Sequence, residues 1–148
     1  MNGKSQVTLH IMSEMEVLNI CDNKTPKWNF EGKTFLSKCV KVYDGDTATF
    51  VFIPYANCNP HKFSCRMLGY NSAELRSKDV LEKEQAKLSR DYLSTLIFNK
   101  IVRLECHDND KYGRILVNVY LQDGTHINQE MLKSGYGKPY HGTGTKLW

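Results

Sequence analysis

Apolar and polar residues alternate along most of the chain, and the period of that alternation changes in the middle. Residues 34–43, TFLSKCVKVY, have the two-residue period of a strand. Asp44-Gly45 follows, and both residue types tolerate positive φ, the chemistry of a tight hairpin. TATFVFIP (47–54) is the expected return strand, 55–60 a loop, and HKFSCRMLG (61–69) a third strand that completes a meander. The period then lengthens. Asp79 is an expected helix cap, with Glu82 three residues on to form a capping box. Leu81, Leu88, Tyr92, Leu93, Leu96 and Ile97 recur at helical spacing to about Phe98, and Asn99-Lys100 ends the run. Strict alternation returns in IVRLECH (101–107), with Val102, Leu104 and Cys106 opposite Arg103, Glu105 and His107. After DNDKYGR (108–114), ILVNVYL sets Ile115, Val117, Val119 and Leu121 against Asn118 and Tyr120. Asp123-Gly124 turns the chain into a short helix from about Ile127 to Lys133, closed by Gly135. The Gly-rich tail is expected to be extended. Ahead of the strands, SEMEVLNI (13–20) predicts a short helix with Met15, Leu18 and Ile11 on one face, broken by 22–27 with Thr25-Pro26.

The order β-β-β-α-β-β-α predicts an α+β fold. It is a five-stranded Greek-key barrel of the OB type, with a helix between strands three and four and a short C-terminal helix. We read residues 1–30 as an N-terminal extension and 31–148 as the barrel domain. A chain of 148 residues is long enough to bury one sizeable core. Hydrophobic residues make up 41% and charged residues 24%, ordinary values for a globular protein, and the net charge of +4 favours an acidic partner only weakly. No apolar run reaches a membrane-spanning length, so no membrane partner is expected. The N-terminus has no signal-peptide pattern, which points to an intracellular protein. The five cysteines are odd in number and include no CxxC pair, in keeping with reduced thiols. Cys58-x-x-His61-x-x-x-Cys65 would need Cys106 or His107 to complete a zinc set, and that fourth ligand has no motif of its own.

Four clusters carry candidate chemistry: Asp44-Gly45-Asp46-Thr47 at the first hairpin; Arg66 with 69–74, GYNSAE; the loop with Lys111, Tyr112 and Arg114; and the tail with Lys138, Tyr140 and His141. Taken singly, each has a plain reading as turn or solvated loop, although an arginine in mid-strand normally faces water or a partner. Asp108, Asp110 and Gly113 fit positions of a calcium EF-hand loop, but its twelfth position is Val119, where a bidentate Glu is required.

Together, DGDT at the first hairpin, R-x7-E from Arg66 to Glu74, and DKYGR before the last strand resemble the staphylococcal-type (thermonuclease) nuclease domain family over residues 34–140. The resemblance implies a calcium-dependent phosphodiesterase acting on DNA and RNA with little sequence preference. It would favour single strands, leave 3′-phosphate ends and work as a monomer. It makes Arg66 and Arg114 the catalytic arginines and Glu74 the carboxylate that orients or deprotonates water. Asp46, the side chain at Asn71 and the backbone carbonyl of Ser72 become the ligands of one Ca2+. Lys111 and Tyr112 would grip a terminal phosphate, and Tyr140 lies near where the family places a tyrosine of the nucleotide pocket. Two departures matter. Asn71 stands where the family usually has Asp, removing one negative charge from the metal site and lowering its expected affinity. Ala73 replaces a usual Pro. The ending HGTGTKLW is similar to that of family members from large DNA viruses, which suggests a viral protein in a host cell. The alternative function is a catalytically weakened OB-fold module that binds single-stranded nucleic acid.

Overall fold

Five strands close into a barrel in the computed structural model, which describes residues 12–140. They are β1 (Thr34–Asp44), β2 (Thr47–Phe52), β3 (His61–Met67), β5 (Ile101–Asn109) and β6 (Ile115–Tyr120). Around the barrel the order is β1-β2-β3-β6-β5, and β5 returns to pair with β1. Closure leaves no unpaired sheet edge. One pairing, β3 with β6, is parallel and sets Cys65 beside Ile115 and Arg66 beside Leu116. α2 (Val80–Ile97) connects β3 to β5 and α3 (Ile127–Ser134) follows β6, so the expected OB-type architecture holds. A two-stranded ladder of β4 (Tyr70–Asn71) and β7 (Lys138–Pro139) was not legible in the sequence. No helix among the described residues is long and apolar enough to cross a membrane.

The alternation in the strands is realised as burial. Val102, Leu104 and Cys106 of β5 and Ile115, Val117 and Val119 of β6 fill the interior with Cys39, Phe50 and Cys65. Cysteine acts here as a small hydrophobe. Phe30 plugs one end of the barrel. Its ring meets Phe35, Phe52 and Phe63 edge-on, with centroids 5.3, 5.6 and 5.5 Å away. The last residue of the expected extension is therefore part of the core. α1 (Glu14–Asn19) forms with Ser13 and Glu16 in a capping box, but it buries no side chain. Met15 and Leu18 are exposed, so the expected apolar face is undocked. Ile11 and the tail from His141 onward lie outside the described residues.

α2 turns a different face to the barrel than its leucines suggest. Ala86, Ser89, Leu93 and Ile97 are buried, whereas Leu81 and Leu88 stand in solvent at 81% and 53% exposure. Asp79 caps the helix through Leu81 N–H at 2.9 Å. Glu82 does not complete the capping box. It reaches into the preceding loop, accepting from Ser77 Oγ at 2.7 Å and from the Glu74 backbone N–H at 3.5 Å. The loop that carries Glu74 is thereby tied to the helix.

The small side chain at Ser89 lets the helix approach the first hairpin closely. A Cβ built on Gly45 would collide with Ser89 Oγ and lie 2.7 Å from Ser72 Cβ. Gly45→Ala is expected to lower stability by about 1–3 kcal/mol through overpacking. Thermal unfolding checks this; a melting temperature equal to that of the parent protein would contradict the close approach.

A buried amide ties the far side together. Asn128 Oδ1 accepts from Val119 N–H at 2.9 Å, and its Nδ2 donates to Leu68 O at 2.9 Å and Val117 O at 3.1 Å. One side chain joins α3, β6 and the segment that follows Arg66.

Candidate active site

The hairpin tip between β1 and β2 is built to aim a carboxylate. Asp44 pairs with Thr47, so the two turn residues are Gly45 and Asp46, one position later than the Asp44-Gly45 expected. Asp44 Oδ1 accepts from Asp46 N–H at 3.0 Å, and Met67 N–H donates to Asp46 O at 2.8 Å. From beneath, the fully buried Tyr70 donates its hydroxyl to Gly45 O at 2.7 Å. Burial, and then the neighbouring Asp46 carboxylate, push the Asp44 carboxyl up to about 7.

Arg66 lies opposite Thr47 on β3, on the outer face of the barrel. It is nonetheless buried, because the hairpin tip and residues 70–74 fold over it. Its Nη1 is 2.9 Å from Asp46 Oδ2, and its Nη2 donates to Asn71 Oδ1. Ser72 N–H donates to the same Asp46 oxygen at 3.0 Å. The other Asp46 oxygen accepts from Thr47 Oγ1 at 3.0 Å, and Thr47 Oγ1 in turn receives Arg114 Nη1 at 3.2 Å. The two arginines are thus joined by a chain through Asp46 and Thr47.

Arg114 owes its position to Asp110. Asp110 Oδ1 accepts from Tyr112 N–H at 2.8 Å and Arg114 N–H at 3.0 Å, while Oδ2 holds Arg114 Nε at 2.7 Å. Gly113 sits at φ 82, a left-handed conformation that glycine adopts without steric cost. The turn is shorter than expected, since β5 already contains Asp108 and Asn109. Lys111 Nζ and Arg114 Cζ lie 5.2 and 5.4 Å from the Tyr112 ring centroid, so the ring is flanked by two cations.

Two cavities meet at the arginines. One, of about 590 Å³, is lined by Asp46, Arg66, Glu74 and Arg114, and also by Tyr43 and Arg76. The other, of about 470 Å³, shares Arg66, Tyr112 and Arg114 and adds Lys111, Tyr140 and the apolar Met67, Leu68 and Leu116. Tyr140 is held there by its N–H to Gly69 O at 3.0 Å. The expected site residues Asp46, Arg66, Glu74, Arg114, Lys111, Tyr112 and Tyr140 therefore line one continuous cleft. Asn71 and Ser72 are buried immediately behind its wall. Thr47, Asp110 and Tyr70 were missed as holders of this site. Thr47 and Asp110 stood inside quoted motifs, but nothing local reveals what they bind.

The donor set fits a hard divalent cation. The expected ligands, the Asp46 and Asn71 side chains and the Ser72 carbonyl, are all oxygen donors, and the Asp46 and Asn71 oxygens already converge on one positive group, the Arg66 guanidinium. Among the described residues no three His, Cys, Asp or Glu side chains converge to hold a metal. The zinc spacing is split by the barrel wall. Cys65 and Cys106 are buried in the interior, while Cys58 and His61 form a pair on the outside at 3.8 Å.

A closed five-stranded barrel carrying paired arginines, a carboxylate at a hairpin tip and a basic aromatic loop on its wall defines an OB-type domain. The chain belongs to the staphylococcal nuclease homologue family, whose model matches residues 64–146. It is 39% identical over 59 residues to an uncharacterized endonuclease of Escherichia coli, covering 38% of this chain and 39% of that protein. It is 36% identical over 107 residues to an uncharacterized endonuclease of Haemophilus influenzae, covering 70% of this chain and 51% of that one. It is also similar to a probable endonuclease of Yarrowia lipolytica, at 27% identity over 142 residues, 82% of this chain and 63% of the relative. The chain spans about half or less of the length of the two bacterial relatives.

Proposed function

We propose that this chain is a nuclease that hydrolyses phosphodiester bonds of DNA and RNA, with calcium as its metal and little sequence preference. The observation that carries this reading is the convergence of Arg66 and Arg114 on one cleft, joined through Asp46 and Thr47, with Glu74 on the same wall. Membership of the nuclease family and the endonuclease names of the relatives support it.

Asp46, Asn71 and the Ser72 carbonyl are the residues that would hold the ion. Calcium held there would supply positive charge beside the phosphate and ease the loss of a proton from the attacking water. Glu74 takes the proton of the attacking water as its oxygen bonds to phosphorus. Arg66 and Arg114 donate paired N–H groups to the non-bridging oxygens as negative charge builds there. The bond from phosphorus to the 5′-oxygen breaks, and that oxygen takes a proton from solvent, which leaves 3′-phosphate and 5′-hydroxyl ends. Lys111 and Tyr112 grip a neighbouring phosphate, and Tyr140 packs on the nucleoside. Because these groups address phosphate and sugar more than base edges, sequence preference is low. In this reading single strands are the favoured substrate and the monomer is the working form. The unpaired thiols Cys39, Cys65 and Cys106 accord with a reducing, intracellular setting.

A quenched fluorogenic oligonucleotide tests the reading. Cleavage is expected with calcium and is expected to stop with EGTA. Glu74→Gln is expected to slow it by about 10²- to 10⁴-fold. Product 3′ ends should resist polymerase extension until treated with phosphatase. The second reading, a binding module with weakened catalysis, draws on Asn71, whose amide adds no negative charge and whose Oδ1 is engaged by Arg66. Oligonucleotide binding without cleavage in calcium, magnesium or manganese would establish that reading instead.

A further inference from the structure

The arginine pair sits in the middle of the cleft, with a cavity on each side. The Lys111–Tyr140 side is accounted for as the phosphate and nucleoside pocket. The lining of the other cavity includes Tyr43, Ser64 and Arg76, to which no role has been given. We infer that this second side receives the continuing polynucleotide strand, with Tyr43 stacking on an unpaired base and Lys41, Lys62 and Lys38 carrying the strand away over the outer face of β1, β2 and β3. The inference rests on the phosphodiesterase reading above and extends its substrate to a chain bound on both sides of the cut.

Tyr43 is placed by a defect in the sheet. Val42 pairs with Ala48 and Asp44 with Thr47, which leaves Tyr43 as the extra, unopposed residue of a bulge. Bulges beside active sites re-aim one side chain. Here the result is a tyrosine 46% exposed at the rim of the cavity that holds Arg66 and Glu74. An aromatic ring left half in water at the lip of a phosphate site is a surface on which any base can stack.

The face beyond it has one sign of charge. Thr49 lies between Lys41 and Ser64, and Val51 lies between Lys38 and Lys62. Lys62, Ser64 and Arg66 alternate outward along β3, so Lys62 stands about 13 Å from Arg66 at ~3.3 Å per residue. Lys38, Lys41 and Lys62 are all exposed, and none makes an ion pair with a described residue. The outward positions Lys38, Lys41, Tyr43, Thr49, Val51, Lys62 and Ser64 include no carboxylate. Ammonium groups in line with a stacking platform match the alternating phosphates and bases of a single strand.

The test measures binding of a single-stranded oligonucleotide to the full chain carrying Glu74→Gln, across a series of salt concentrations, alongside cleavage by the parent protein. Adding Tyr43→Ala is expected to weaken binding by about 5- to 100-fold without changing the salt slope, because the ring is uncharged. Tyr43→Phe keeps the ring and is expected to bind like the parent. Adding Lys41→Gln with Lys62→Gln is expected to reduce the slope of log K against log salt by about 1.4, at ~0.7 per phosphate contact. Unchanged affinity with alanine at 43 together with an unchanged slope would overturn the inference while cleavage by the parent protein still upheld the nuclease reading. Equal losses for the phenylalanine and alanine variants would overturn the stacking role. The expected losses in a protein that does not cleave would uphold the binding face and remove the nuclease.

Discussion

Alanine in place of Arg114 is expected to reduce kcat for oligonucleotide cleavage by about 10³- to 10⁵-fold, the range seen when an arginine that meets transition-state charge is removed. The loss should fall on kcat and much less on KM. The loop survives the substitution, because Asp110 Oδ1 holds the backbone N–H groups at 112 and 114 and Gly113 N–H donates to Asp110 O at 3.1 Å. Lys111 and Tyr112 therefore keep their places. Arg114→Lys should recover little, since an ammonium cannot bind Asp110 through one nitrogen and reach Thr47 or phosphate with another. Steady-state kinetics on the three proteins decide the matter. A kcat for the alanine variant within tenfold of the parent would remove Arg114 from the chemistry.

Asn128→Ala is the substitution expected to cost most stability. It strands Val119 N–H and the Leu68 carbonyl, which the buried amide now satisfies, and takes one of two donors from the Val117 carbonyl, which keeps Leu68 N–H at 2.9 Å. Each buried group left unpaired costs about 1–3 kcal/mol, so the total loss is expected near 3–5 kcal/mol. That is a large part of the 5–15 kcal/mol typical of a folded domain, and it corresponds to a fall of about 10–20 °C in melting temperature. Asn128→Asp should be no better, because it keeps the acceptor for Val119 but loses both donated bonds and buries a charge. A fall of less than about 3 °C in calorimetry would show that the stranded backbone groups find other partners.

These two residues differ in how visible they were. Arg114 announced itself, because DKYGR packs two cations and an aromatic ring around a turn that needs none of them. Asn128 gave no signal. It is an ordinary polar residue at the start of a short helix, and its partners lie 9, 11 and 60 residues away. The same contrast runs through α2. Its helical period was legible, but the buried face was not. The close approach of the hairpin at Gly45 meets the helix at the small side chain Ser89, on the face that also buries Ala86, Leu93 and Ile97. Glu82 had the spacing of a capping box, yet Ser77 Oγ offered a nearer donor.

By itself the sequence determined the five barrel strands and the helices, their order and, to within a residue or two, the tight turns, because these depend on side-chain periods of two to four residues and on the φ that Gly, Asn and Asp tolerate. It also determined which residues could carry the chemistry. The tertiary structure decided how those residues meet. The antiparallel pairing of β2 with β3 sets Arg66 beside the hairpin tip, and the parallel pairing of β3 with β6 brings Arg114 to Thr47, across 67 residues of chain. It also decided that a mid-strand arginine is buried, that Asp44 sits beside Asp46 with its carboxyl raised, and that a bulge lifts Tyr43 to the rim. The physical reason is one of range. Conformational preference acts between neighbours, whereas burial, ion pairing and desolvation act through space and exist only once the barrel has closed.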